Sequence, residues 1–255
     1  ATPTSQFPLG APLTLPRRLA LLDYAAHHHT WILEDDSDGD FCYYGRPLPS
    51  LQGADNQSRV LYFGTTGKSL FPSLEIGYLV VPLGLLESFA KTKEISGGAP
   101  CVIDQATLAL FLSEGHFDRH IQRVNVVYHQ RLQALSDSVQ TELDGYIQLE
   151  PTQGGLQAIG WLNRNVSEDV IVNCANTAGV DLPLLSSYGR TALVRPGVVF
   201  GFASFSEGII RDSIKALGQA LRTSQKQRAL LPPPDDDDTT AEKYGFLRRL
   251  FNRRK

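Results

Sequence analysis

The sequence predicts an α/β fold, with a larger part built on parallel strands followed by a smaller α+β part. Three short runs of β-branched, aromatic and aliphatic residues, at 30–34, 59–63 and 76–81, have the length and composition of buried strands. Longer stretches between and after them show the 3.6-residue apolar period of helices. This alternation favours a layered parallel sheet, from which a long helix leads to a second region at about 140–222.

The composition is typical of a protein with a substantial hydrophobic core. Of the 255 residues, 42% are hydrophobic, and a net charge of −3 argues against a polyanion binder. The three cysteines are scattered, form no metal-binding pattern and indicate a reducing compartment. No apolar run approaches transmembrane length. The reducing compartment is consistent with an expected cytoplasmic location. Because the chain has no methionine and begins in a loop-like phrase, we expect it to be a fragment of a longer protein.

The first helix is predicted from Pro16 to His29, since proline suits a first helical turn and leucine, tyrosine and alanine supply an apolar face. The run His27–His29 invites assignment as a metal site. Consecutive positions on a helix point in different directions, so these side chains cannot chelate one ion together. We therefore expect no metal site.

Two turns follow the first two predicted strands and carry the polar chemistry. The first strand runs into the acidic turn Glu34–Asp40, which is either a solvated loop or a cation site, although its spacing does not fit an EF-hand. The second strand leads into a small-residue turn that contains a single lysine, Lys68. A lysine with such apolar flanks is costly unless it is neutralised, paired or covalently bonded. The ordinary alternative is a loop lysine that reaches solvent.

The rest of the chain divides into helices, short strands and a charged tail. Helices are predicted at 82–93, 103–114, 116–139 and 206–222, and further strands at 154–157, 178–184 and 197–203. We expect the large-domain part at 1–125, the small domain at 126–225, a Pro/Asp-rich linker at 226–240 and a basic amphipathic tail at 241–255. The tail is either a weak contact site for acidic lipid or nucleic acid, or a solvated end.

Several phrases in the chain resemble one family. The segment from Gly64 to Val81 resembles the Schiff-base lysine segment of fold-type-I pyridoxal phosphate (PLP) proteins, and most closely that of the MocR group of GntR-type regulators, which includes PdxR-like and GabR-like proteins. Three other phrases match the group: Thr2–Gly10, Gly45–Gly53 and Gly115–His120. The second of these is the most specific, because general aminotransferases lack it. The resemblance covers about residues 1–222.

This resemblance implies a partial fold-type-I transferase, of the aminotransferase class I/II kind, together with its site. Lys68 would form the Schiff base with PLP, Asp35 would pair with the ring nitrogen, and Gln6 would lie near the 3-oxygen. Ser37 stands where the family has a tyrosine, and Thr65, beside the lysine turn, is also assigned to cofactor binding. The winged helix-turn-helix and the first half of the PLP domain would lie outside this chain.

Three positions depart from the family pattern: Ser37 replaces a tyrosine, Gly67 a serine and Glu75 an arginine. The family arginine clamps the phosphate, with a contribution of about 1.5–3 kcal/mol. An ionised Glu75 facing the phosphate would instead repel it by about 3 kcal/mol per charge pair at an effective dielectric near 20. PLP binding is therefore expected to be weakened or lost.

Three functional hypotheses remain open. The first is a PLP-sensing effector domain of a MocR-type regulator, dimeric in the intact protein and without direct DNA binding by this chain. The second is a PLP-dependent aminotransferase of the 2-aminoadipate or aromatic kind, since this fold hosts both functions. The third is a decayed remnant without cofactor. Val199 and Phe200 occupy the neighbourhood where some relatives place a substrate-binding arginine, with Arg195 nearby, so the first hypothesis is favoured over the second.

Overall fold

The structure is a computed structural model that describes residues 1–45, 49–74, 76–97, 101–189 and 195–230, with side chains as far as 227. The described residues form helices and strands in two groups. In chain order these are α1 (Leu15–His27), β1 (Ile32–Asp35), α2 (Leu51–Ala54), β2 (Val60–Thr65), β3 (Gly77–Val80), α3 (Leu83–Ser96), α4 (Val102–Ser113), α5 (His116–Glu142), β4 (Ile147–Leu149), β5 (Gln157–Leu162), α6 (Glu168–Ala178), β6 (Gly197–Gly201) and α7 (Glu207–Leu230). The α/β class predicted from sequence is confirmed.

The first sheet has the strand order β1-β2-β3. Strands β1 and β2 are parallel as predicted, with Ile32 opposite Val60. The prediction that all three strands are parallel is wrong, because β3 runs antiparallel to β2, with Phe63 opposite Leu79. Among its described residues, the connection between β2 and β3 contains a 3-10 turn and no α-helix. A parallel crossover needs a dozen or more residues, usually with a helix.

One face of this sheet is covered by helices, whereas on the other face Leu61 is buried and its apolar neighbours are exposed. Helices α1 and α2 pack on it through a small cluster of buried side chains: Leu22, Ala25, Ile32, Leu51 and Val60. On the opposite face Leu33 is 59%, Phe63 37% and Leu79 39% exposed. The sequence predicts buried strands, and for β3 that prediction is wrong, since all four of its residues are exposed.

Helices α3 and α4 contain no buried residue. Helix α4 packs on α5, whereas α3 makes no extensive contact with another helix or strand among the described residues. Their exposed apolar side chains include Leu83, Leu86, Ile95, Val102, Ile103 and Leu110. No helix within the described ranges combines the length and apolar character needed to cross a membrane.

The second region is a closed α+β unit. Strands β4, β5 and β6 form an antiparallel sheet, and the C-terminal half of α5 packs with α6 and α7 around a large core. That core includes fully buried side chains such as Leu143, Leu217 and Phe202. A second, small cluster consists of Ile159, Leu185 and Val199. The domain boundary predicted at 125/126 falls inside α5, whose buried residues all lie between Leu132 and Val139.

Two expectations for the second region need correction, and one strand there was not predicted. Residues 178–184 do not form a strand, because α6 ends at a left-handed Gly179 and the segment then crosses the core with only a single bridge from Leu184 to Val198. The short strand β4 was not predicted. Helix α7 continues to Leu230, beyond 222, so residues 226–230 are helical and not linker. No proline interrupts the helix between 223 and 230, since the next proline after the start of α7 is Pro232.

A backbone joint connects the two regions. The amide of Tyr43 donates to the Gln153 carbonyl (2.8 Å), and the amide of Gly155 donates to the Phe41 carbonyl (3.0 Å). Between these bonds, a Cβ atom at Gly154 would overlap the Phe41 carbonyl oxygen. Glycine is therefore required at position 154 for this close approach of two backbones.

Candidate functional site

Lys68 lies in the connection between β2 and β3, which threonine side chains hold in shape. The hydroxyl of Thr65 accepts from the Gly67 amide (3.1 Å) and donates to the Ile76 carbonyl (3.3 Å). The amide and hydroxyl of Thr66 bond the same carbonyl, at 3.1 and 3.2 Å. Because the Thr65 hydroxyl is used by the turn itself, the structure does not bring it to the cavity described below, although the sequence assigns it to cofactor binding.

The acidic turn begins where β1 ends. One carboxylate oxygen of Asp35 accepts from the Ser37 amide (3.1 Å) and from the Ser37 hydroxyl. One carboxylate oxygen of Asp36 accepts from the Tyr62 hydroxyl (3.0 Å), while its other oxygen is buried and has no hydrogen-bond partner among the described residues. Burial raises the pKa of Tyr62 well above its usual range, so this phenol stays a donor. The turn thus presents carboxylate oxygens that are only partly satisfied.

An ion pair joins the two turns. The ammonium of Lys68 lies 2.8 Å from a carboxylate oxygen of Asp38, and the two side chains are 47% and 22% exposed. An exposed pair of this kind contributes about 0–1 kcal/mol to stability. The sequence analysis did not single out Asp38 within the acidic turn, and no sequence signal distinguishes it from the other aspartates there. The pairing orients the lysine amine toward the end of β1.

The two turns and the N-terminal loop enclose a small cavity of about 70 Å³. Eight of its nine lining residues are of polar or charged type, and the full set is Thr2, Thr4, Ser5, Phe7, Asp35, Asp36, Ser37, Asp38 and Lys68. Three of the five site residues predicted from sequence, Lys68, Asp35 and Ser37, therefore meet in one cavity. Ligand pockets for drug-sized molecules measure roughly 300–1,000 Å³, so this cavity alone is too small to enclose a ligand of that size.

Gln6 does not line this cavity, although its neighbours Ser5 and Phe7 do. Its backbone forms a bridge with Ala11, and the residue is exposed. Gln6 therefore lies between two lining residues in the sequence, but it does not line the cavity itself. Glu75, where the family has its phosphate-binding arginine, lies outside the described residues, as does part of the phrase Gly45–Gly53.

A second cavity of about 80 Å³ shares Thr4, Ser5 and Asp38 with the first. Its lining includes the buried Arg18, which would be a natural anion ligand. The guanidinium group of Arg18 is already committed, because it donates to the carbonyl groups of Leu13 (3.0 Å), Pro49 (2.8 Å) and Pro3 (2.7 Å). It therefore holds the N-terminal loop in place with three of its five N–H donors.

Glu34 lies one residue before Asp35 and points to the opposite side of the sheet. It is fully buried and accepts from the amides of Leu51 (2.8 Å) and Gln52 (2.9 Å) at the start of α2. Burial raises the pKa of Glu34 above its usual range, although these amide bonds act in the opposite direction. Glu34 thus supports the scaffold under the acidic turn.

Helix α5 braces both turns from below. His120 contacts the Ser69 carbonyl through its Nε2 atom (2.7 Å), and the side-chain amide of Asn125 donates to the Asp40 carbonyl (3.0 Å). Burial raises the pKa of Asp40, against a lowering contribution from the Ser69 hydroxyl. The His120 contact supports the residue next to Lys68. Because α5 contacts both turns, it fixes the position of the lysine turn relative to the acidic turn.

The candidate substrate arginine lies elsewhere. The guanidinium of Arg195 bonds the side chain of Gln148 (2.9 Å) and lies 5.3 Å from the centre of the Trp161 ring. Val199 and Phe200 are buried in β6. None of these residues lines the Lys68 cavity. Within the described ranges, no group of three metal-binding side chains is found either.

Comparisons with known proteins place this geometry in a family. No protein-family model matches the chain. The chain is 33% identical over 229 residues to the probable rhizopine catabolism regulatory protein MocR of Rhizobium meliloti. This match covers 90% of this chain and 46% of that protein. The chain is also 36% identical over 220 residues to the HTH-type transcriptional regulator YdeL of Bacillus subtilis, covering 47% of it. The chain thus spans about half the length of these curated relatives.

Solved aminotransferase structures share the fold. The α-aminoadipate aminotransferase LysN of Thermus thermophilus superposes with a TM-score of 0.77 at 22% identity, over 89% of this chain and 59% of that one. The kynurenine aminotransferase of Pyrococcus horikoshii gives 0.78 at 24% identity, over 88% and 55%. The family predicted from the motifs is therefore confirmed: the chain belongs with the MocR- and PdxR-type regulators, as the part of them that has the aminotransferase-like fold.

Proposed function

We propose that this chain is the effector-sensing part of a MocR-type transcriptional regulator and that it binds PLP at Lys68. The observation that carries the proposal is the meeting of Lys68, Asp35 and Ser37 in one cavity of a chain whose regulator relatives are 33–36% identical to it. The similarity to an aromatic-amino-acid aminotransferase of Thermococcus litoralis is lower, at 23%. The regulatory function is therefore the better supported of the two.

The residues present fit one side of a PLP site. When bound, PLP supplies an aldehyde that reacts with amines and a ring that accepts electrons. Lys68 offers the only described ammonium group in the cavity lining, and the Asp35 carboxylate would hold the ring nitrogen protonated. The free, buried oxygen of Asp36 is a further acceptor at the same place. The hydroxyl groups of Thr4 and Ser5 would be available to a polar ligand.

The same site is poorly equipped for turnover. No arginine lines the Lys68 cavity among the described residues, and Arg195 is engaged with Gln148 and Trp161. A substrate carboxylate therefore has no described cation to bind except Lys68 itself. This favours sensing over transamination, and the aminotransferase hypothesis, which rests on the shared fold, takes second place.

For the intact protein we propose three further properties. Its DNA-binding part lies in the portion of the regulators that this chain does not match, it forms a homodimer, and it works in the cytoplasm, where a transcription regulator meets DNA. The basic tail at 241–255 lies outside the described residues, and its contact with acidic lipid or nucleic acid stays a sequence-based prediction.

The proposal is tested by PLP labelling. The chain is incubated with PLP and reduced with borohydride, and the phosphopyridoxyl group is located by peptide mapping. We expect the label on Lys68 and its loss in Lys68→Ala. Lys91→Ala is the matched control, since Lys91 also forms an ion pair, with Glu87 at 2.7 Å, but lies far from the cavity lining.

Two outcomes would contradict the proposal. Labelling of other lysines without Lys68 would refute the site, and absence of any specific label would favour the remnant without cofactor. Steady conversion of an amino acid with 2-oxoglutarate, above the rate of free PLP, would instead favour the aminotransferase.

A further inference from the structure

The second region has a cavity of about 250 Å³, several times the volume of the Lys68 cavity. Its wall is formed by α5, by the segment after α6, by the end of β6 and by the first turns of α7. It shares no lining residue with the cavity at Lys68. All of its lining residues lie between 135 and 214, so it is built within the α+β unit that has the larger core.

The inner part of this cavity is apolar. Nine of its thirteen lining residues have aliphatic or aromatic side chains. Leu182, Phe200 and Ile214 are buried there as members of the large core, whereas Phe205 and Ile209 are about half exposed at the mouth, at 48% and 53%. The cavity therefore reaches from the surface of α7 into the core, and its interior suits an apolar group.

The volume limits the size of that group. A dry cavity of roughly 150 Å³ lined by Leu, Ile and Phe holds benzene, and drug-sized molecules need roughly 300–1,000 Å³. A cavity of about 250 Å³ therefore holds one ring, or a branched alkyl group, with a short chain attached. Filling it is favourable, because the wall atoms gain dispersion contacts that an empty cavity lacks.

The polar groups of the lining show what the other end of the ligand carries. Asp181 is the one ionisable residue in the lining, and its side chain is exposed, so the carboxylate lies at the mouth. It forms no ion pair or hydrogen bond with another described residue. The hydroxyl of Ser213, half-buried on α7, has no partner among the described residues either. A carboxylate and a hydroxyl without partners suit an ammonium group.

The nearby helix ends favour the same charge. Helix α6 ends at Gly179, which lines the cavity, and its last turn contains no basic side chain. The negative end of a helix favours a cation. The opposite end of α7 also lies near the cavity, but its first turn carries Glu207, which offsets its positive charge. The local field at the mouth is therefore suited to a cation.

We infer that this cavity binds a small apolar monoamine. The ring or alkyl group occupies the apolar interior, and the ammonium group contacts the Asp181 carboxylate and the Ser213 hydroxyl. A carboxylate ligand of the same shape would meet the like charge of Asp181, and a neutral one would leave that carboxylate unpaired. This second ligand site is independent of Lys68, and it holds whether or not Lys68 binds PLP.

The test uses three probes of one shape and different charge: phenethylamine, phenethyl alcohol and phenylpropionate. Each is titrated into the full chain without PLP, and binding is followed by the methyl NMR signals of Ile210 and Ile214, which both line the cavity. We expect phenethylamine to bind about fivefold more tightly than the alcohol, as a partly exposed ion pair allows, and phenylpropionate to bind most weakly.

Two variants separate the charge from the cavity. Asp181→Asn keeps the shape of the side chain and should abolish the preference for the amine, whereas Asp144→Asn, an exposed carboxylate of the same region outside the lining, should retain it. Ser213→Phe places a ring in the cavity and should prevent binding of all three probes. Gln219→Phe, on the exposed side of α7, is its control.

Thermal melts verify that each variant is folded, and Lys68→Ala should bind all three probes like the wild type. The inference would be overturned if no probe shifted the Ile210 and Ile214 signals. Equal affinity for phenethylamine and phenylpropionate would also overturn it, as would amine binding that Lys68→Ala abolishes and Asp181→Asn does not change.

Discussion

The two regions of this chain bury their apolar side chains to different extents. In the second region, helices α5, α6 and α7 enclose the antiparallel sheet, and the large core includes Leu217 and Leu143 with no exposed surface. In the first region only a five-residue cluster under α1 and α2 is closed. Apolar patterning alone does not distinguish a side chain that is buried within the chain from one that stays exposed.

The candidate site lies on the incomplete side of this contrast. Lys68 and the acidic turn project from the ends of β1 and β2, and the cavity between them holds only about 70 Å³. The second region contributes through the backbone joint at Gly154 and through α5, which contacts Ser69 and Asp40. The second region, which has the larger core, thus helps to position the residues that line the Lys68 cavity in the first region.

The largest expected effect is at the joint. Gly154→Ala places a methyl group against the Phe41 carbonyl, and we expect it to lower the free energy of unfolding by more than about 3 kcal/mol. Gly208→Ala is the control, because a Cβ there meets nothing within 4 Å and should change stability by less than about 1 kcal/mol. Urea titration measures both. Equal effects would show that the joint is not needed.

The next effect compares the cores directly. Leu217→Ala empties a fully buried position in α7 and should cost about 2–5 kcal/mol. The same change at Leu86 in α3, which is 52% exposed, should stay within about 0.5 kcal/mol. Similar losses at the two positions would mean that α3 is covered in solution.

A smaller effect concerns pH. Burial raises the pKa of Glu34 above its value in the unfolded chain, so the folded state binds the proton more tightly. The free energy of unfolding should therefore fall as the pH rises from about 4.5 through the raised pKa. Glu34→Gln should flatten this fall, although the raised pKa of Asp40 leaves part of it.

Denaturant titrations between pH 4 and 8 measure this dependence. Glu87→Gln, on the exposed side of α3, controls for the loss of a carboxylate. Identical pH profiles for the wild type and Glu34→Gln would contradict the role of burial.

The smallest effect is expected at the tail. Helix α7 ends at Leu230, so truncation should remove residues 231–255 and spare the helix. The amphipathic tail predicted at 241–255 has only fifteen residues, and a helix of that length is marginal alone in water. We therefore expect the thermal midpoint to change by less than about 2 °C. A large drop would mean that the tail packs on the folded part.

Local patterns predicted most of the helices and strands, whereas the role of the site residues in cofactor binding stays a prediction. The small-residue turn after β2 and the acidic turn after β1 were enough to bring Lys68 and Asp35 together, because both follow adjacent parallel strands. The family, too, follows from phrases such as Gly115–His120. These are features that a few neighbouring residues determine.

Long-range features were not predictable. The Lys68–Asp38 pair depends on the height of one turn relative to another, and the reversal of β3 depends on the length of its connection. The exposure of Leu33 and Leu79 depends on what covers the sheet, which their own apolar character cannot reveal. Gln6 shows the same limit, since its neighbours reach the cavity and it does not.

Amide hydrogen exchange of the chain alone tests the central contrast most directly. The amides of β5, α7 and the 132–139 segment of α5 should show protection close to that of global unfolding, because they border the closed core. The amides of α3 and α4 should exchange orders of magnitude faster, since neither helix contains a buried residue. Protection of α3 and α4 equal to that of α7 would contradict the account.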